Sequence, residues 1–145
     1  MVVSEATVQP LPPERSMYMQ RAAAQAMQVL ESFASGPVEY DATALQLLDE
    51  WIDRTLRQGP LSDAERVLVI AFLGQTFLDR HGGYWATRTQ DQQSGLGVVC
   101  PVTGSQDETR FIDVADQVQR RLAHGISDSL TFFYLIRSVD LHNYS

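Results

Sequence analysis

The sequence predicts an α+β fold: three N-terminal helices, a two- or three-stranded antiparallel meander, then two C-terminal helices. Three observations carry that expectation. Apolar residues recur at spacings of three and four up to His81. The period then breaks at Gly82-Gly83, and aromatic, threonine and valine residues alternate from Tyr84 to Val102. After Asp113 the helical spacing returns.

Each element has a local reason. Residues 1–13 hold Pro10, Pro12 and Pro13 and few large apolar groups, so they read as a flexible arm ahead of a single domain spanning 14–145. Pro12-Pro13 suits a helix start, where a missing N–H costs nothing, and Gly36-Pro37 closes that helix. Leu45, Leu48, Ile52 and Leu56 define a second helix over 41–57, with Asp49, Glu50 and Asp53 expected on its solvated side. Ser62-Asp63-Ala64-Glu65 is a capping box opening a third. Its run from Val67 to Leu73 is apolar all round, the mark of a central helix.

Strands are expected over 84–90, 96–102 and 109–112, with the turn at 91–95. Asp113 caps a helix over 114–124 whose inner face would hold Ala115, Val118 and Leu122. Ser127 is the expected cap of the last helix.

Composition excludes several chemistries. The chain has 145 residues, a net charge of −7, and eleven arginines without one lysine. No phosphate-loop lysine, Schiff base or lysine general base is available. The acidic balance argues against nucleic acid as a partner, since such binding rests on basic surface. No apolar run approaches the roughly 20 residues of a membrane span, and Met1-Val2-Val3-Ser4-Glu5 lacks the basic start of a signal peptide. A lone cysteine fits a cytoplasmic setting.

Leu73-Gly74, then Gly82-Gly83-Tyr84-Trp85, then Gly125 followed by Asp128-Ser129-Leu130 form a pattern. In this the chain resembles an uncharacterised family of small bacterial α+β domains, over roughly residues 45–137. The resemblance implies the fold class and a bacterial, cytoplasmic setting, and no function. A glutamate commonly follows the family's leucine-glycine pair, and Gln75 stands there instead.

Other constellations have structural readings. Gly95-Leu96-Gly97 lacks the third glycine of a dinucleotide fingerprint, Cys100 standing in its place. Val98-Val99-Cys100 reads as a half-buried strand, where a free cysteine packs as a small hydrophobe. His81, His124 and His142 are too scattered for a metal set, so neither metal nor cofactor is expected. Arg121, beside Arg120, is placed to pair with Asp128 across a helix corner, or with Arg88 to bind an acidic group. If Trp85 faces the core, Tyr84, Ala86 and Arg88 form the opposite face, an aromatic-arginine composition found at protein hot spots.

Two functional readings follow. The first is a non-enzymatic protein-binding module (adaptor, inhibitor or immunity-type) using Tyr84, Arg88 and Arg121, with self-association through the apolar last helix as a further possibility. The second is a ligand-binding or enzymatic domain with a cleft between the sheet and the last two helices.

Overall fold

The computed structural model describes residues 6–142. It is an α+β fold of five α-helices and one four-stranded antiparallel sheet. The chain runs β1 (Thr7–Pro10), α1 (Pro13–Ala34), α2 (Ala42–Leu56), α3 (Asp63–His81), β2 (Tyr84–Gln90), β3 (Gln93–Pro101), β4 (Thr109–Ile112), α4 (Val114–His124) and α5 (Leu130–Asp140).

The first difference from expectation is the strand count. The sheet is ordered β1-β2-β3-β4, and its extra strand comes from the stretch read as an arm. Thr7 pairs with Thr89 and Pro10 with Ala86, while Leu11 donates its N–H to the Trp85 carbonyl and is buried. Prolines at 10 and 12 are compatible with this because β1 is an edge strand, where a missing donor faces no neighbour. Residues 1–5 of the expected arm lie outside the described residues.

Helix α3 is the central element, packing against α1, β3, α4 and α5. Its capping box forms as expected, Ser62 accepting from the Glu65 N–H and Glu65 from the Ser62 N–H. Val69, Phe72, Leu73 and Phe77 are fully buried. The sheet lays its inner face on this helix. Trp85 is 1% exposed, and a Cβ at Gly74 would overlap its indole ring, so glycine there is what lets the ring reach the helix. The turn from α3 into β2 needs Gly83 as well: its φ is +117°, and a Cβ would collide with the Val99 carbonyl oxygen.

The β2–β3 connection is tighter than expected. Only Asp91 and Gln92 form the turn, both with positive φ (52° and 66°), the mirror-image geometry that matches strand twist in a two-residue hairpin. Strand β3 therefore begins at Gln93 rather than 96.

The inner face of α4 also differs. Val114, Gln117, Val118 and Arg121 are its buried residues, while Ala115 and Leu122 are half-buried at its margin. Beyond it, a 3-10 turn over Gly125–Asp128 shifts the start of α5, so Ser129 rather than Ser127 caps that helix, accepting from the Phe132 N–H.

Candidate functional site

The chain brings charged and apolar groups together at three places around α4 and α5. The innermost is a buried carboxylate. Asp49 of α2 is 4% exposed, not on a solvated face as its neighbours in sequence imply. One oxygen accepts from the Arg121 Nε (2.8 Å) and the Leu130 N–H (3.2 Å). The other accepts from the Ser129 hydroxyl (3.1 Å), the Thr131 N–H (3.2 Å) and the Thr131 hydroxyl (2.9 Å). Asp49 thus caps α5 from another helix, matching its negative charge to the unsatisfied N–H groups at the helix start.

Arg121 completes this joint. It is 0% exposed, and its Nη2 donates to Asp53 (2.8 Å) and the Asp49 carbonyl (3.1 Å), leaving Nη1 buried without a partner among the described residues. Burial alone would pull its pKa down. The hydrogen bonds to Asp53 and Asp49 outweigh that and hold the value above an ordinary arginine's. The expected Arg121–Asp128 pair does not form: Asp128 holds His124 at 2.6 Å, and Arg120 holds Asp116 at 2.8 Å. A residue so enclosed offers no surface to a partner, so Arg121 belongs to the scaffold.

The second place is a cleft of about 410 Å³ between the sheet and the last two helices. Four arginines from four elements border it: Arg88 of β2, Arg110 of β4, Arg120 of α4 and Arg137 of α5. Arg88 lies over the Phe111 ring at 4.8 Å and 3.7 Å from Asp113, which caps α4 by accepting from the Asp116 N–H. Its register partner is Gly95, where a Cβ would press on the Asp113 carboxylate. Tyr84 is exposed four residues back along the strand, with the fully buried Ala86 between them. The three residues expected to bind together therefore separate into an exposed ring, a cleft arginine and a core arginine.

The third is a face of α5. Phe132, Leu135, Ile136 and Val139 are 64%, 48%, 46% and 58% exposed. Their spacing of i, i+3, i+4 and i+7 forms one continuous stripe. The apolar content of this helix is plain in the sequence; which side stays uncovered depends on where Asp49 seats it.

Acid–base and nucleophilic groups are few. Cys100 is fully buried, and burial pushes its thiol up to about 12, so it carries no thiolate at neutral pH. The His81 pKa is lowered by burial, then by His142 and Arg80; its Nε2 lies 3.0 Å from the Ser138 hydroxyl. Among the described residues no group of three or more His, Cys, Asp or Glu side chains is placed to hold a metal, and no helix is long and apolar enough to cross a membrane. Comparison with family models, curated proteins and solved structures finds no match to this chain, so the resemblance rests on its own residues.

Proposed function

We propose that this chain is a cytoplasmic, non-enzymatic protein-binding module of the adaptor, inhibitor or immunity type, and that the outer face of α5 is its docking surface. The observation that carries the reading is the stripe of Phe132, Leu135, Ile136 and Val139. Four exposed large apolar side chains on one short helix amount to a patch on the order of 400 Å², within the range of the largest apolar patch of a monomer, which is often functional. A helix presenting anchors at i, i+3, i+4 and i+7 is also a recurring mode of recognition by a groove.

Magnitude decides between occupants. A second copy is geometrically suited, since an antiparallel α5 pair would set Phe132 against Val139 and Leu135 against Ile136. Two stripes alone would bury about 800 Å², short of the roughly 1,200 Å² of a stable interface. A different protein, extending its contact beyond the stripe, is the favoured partner and self-association the weak competitor. The net charge of −7 steers a basic partner toward the surface.

The test is a Phe132→Glu variant beside Tyr84→Ala/Arg88→Glu, each used as bait after its melting curve is matched to the parent chain. A protein captured by the parent, lost with Phe132→Glu and retained by the other variant is the expected result. Retention by Phe132→Glu and loss from the double variant would move the face to the sheet. Light scattering over a concentration series reports the homodimer, which is expected only at high concentration.

A further inference from the structure

The cleft beside the sheet has an unusual charge arrangement for so acidic a chain. Four of the eleven arginines border it, each contributed by a different element. Three have a carboxylate on their own element or beside it that fixes the guanidinium. Arg120 donates through Nε to Asp116 at 2.8 Å, Arg137 through Nη1 to Asp140 at 3.2 Å, and Arg110 lies 2.6 Å from Glu108 through Nη2. Each guanidinium has five donors, so these contacts orient the fork and leave donors over.

Arg88 is different. Its contact with Asp113 is 3.7 Å, beyond hydrogen-bond distance, and its guanidinium makes no hydrogen bond among the described residues. It is nonetheless held in place, stacked on Phe111 over a strand whose opposing residue is Gly95. A half-exposed arginine seated over an aromatic ring with unused donors can receive an oxyanion in bidentate fashion. Lysine would supply a mobile point charge; a planar fork supplies direction.

We propose that this cleft is a binding site for a small, multiply charged oxyanion (a polyphosphate or polycarboxylate), with Arg88 as the central contact and Arg110, Arg120 and Arg137 at its border. The volume of about 410 Å³ lies within the range of small-molecule sites. Asp113, Asp116 and Asp140 also line the cleft and oppose an anion. With Glu108, which holds Arg110 from outside the lining, the four arginines face four carboxylates and the local charges balance, so a single negative charge gains little, and more than one is needed to engage several forks together. Asp113 is the main competitor because it faces Arg88 directly.

That competition gives the test. Pyrophosphate and citrate are titrated separately into the intact chain by calorimetry and followed by chemical-shift changes near Arg88 and Phe111. At least one anion is expected to saturate at one equivalent, and which one does so distinguishes phosphate from carboxylate chemistry. Arg88→Gln should weaken binding by about tenfold or more, the worth of a charge-assisted hydrogen bond. Asp113→Asn should tighten it, because asparagine caps α4 equally well while removing the opposing charge. Tightening is an outcome that a merely structural Arg88–Asp113 pair does not produce. Phe132→Glu should bind as the parent does, which separates this site from the docking face. Absence of saturable binding up to about 1 mM for both anions, where affinity would be under ~4 kcal/mol, overturns the proposal. So does equal binding by parent and Arg88→Gln.

Discussion

Two of the arginine–aspartate pairs among the described residues have surroundings that give them opposite uses. At the joint of α2, α4 and α5, Arg121 and Asp49 are 2.8 Å apart, and their side chains are 0% and 6% exposed. At the cleft, Arg88 and Asp113 are 3.7 Å apart and 38% and 28% exposed. Desolvation is the difference. Losing either partner of the buried pair removes a charge-assisted contact in a medium where an under-compensated charge is costly, so that pair fixes architecture. The exposed pair is screened by water and contributes little, which leaves Arg88 free to exchange its partner.

The largest effect that would break this contrast is at Asp49. Asp49→Ala should cost about 3–5 kcal/mol in denaturant unfolding, because it leaves the Arg121 Nε and four donors at the start of α5 without their acceptor. Arg121→Met should cost less: Asp49 keeps its bonds to Ser129, Leu130 and Thr131, and the unpartnered Nη1 disappears. Equal losses would mean that the pair, rather than the cap, dominates the joint.

An intermediate effect concerns the other attachment of α5. His81 ends α3 and contacts Ser138, so it ties the far end of α5 to the central helix. Its folded pKa lies below the ordinary value of 6.5, which means that the unfolded chain takes up the proton first. Stability should be full above pH 6.5 and fall as the pH drops from there through the lowered folded value. A His81→Gln variant should flatten that part of the pH profile in thermal melts, and an unchanged slope would remove His81 from the account.

The smallest effect sharpens the comparison from the exposed side. Arg88→Gln and Asp113→Asn should each alter stability by no more than about 1 kcal/mol. Raising the salt concentration should erase much of that difference while leaving the Asp49 penalty in place. A loss at Arg88 as large as that at Asp49 would show that the cleft arginine is a strut.

What was legible in the sequence follows the same division between local and distant causes. The Ser62–Glu65 box, the stop at Gly82-Gly83 and the spans of β2, β4 and α4 are written in neighbouring residues, and they fall where expected. The Trp85 core position follows from alternation. Strand β1 was not legible because Thr7, Val8, Gln9 and Pro10 are all exposed; it is held by backbone pairing, which leaves no apolar pattern. Asp49 looks like any polar residue of an amphipathic helix until the start of α5, some eighty residues on, is placed against it. Ser127 and Ser129 are equally good caps by type, and the 3-10 turn chooses between them. At the cleft, Arg88 was legible as a candidate, but its separation from Tyr84 and Arg121 is a property of the tertiary structure.

The position of β1 also bears on how the chain is born. Thr7 leaves the ribosome about eighty residues before Thr89, its partner, which at about 5–20 residues per second is a wait on the order of 4–16 s. Throughout that interval the opening segment has no strand to join, and the bare edge of β2 appears only after three helices have been made. A four-residue strand with exposed side chains and a proline at its end is a poor template for association with other nascent chains. Its weak apolar character, which hides it in the sequence, keeps the unfinished protein from pairing with the wrong edge during synthesis.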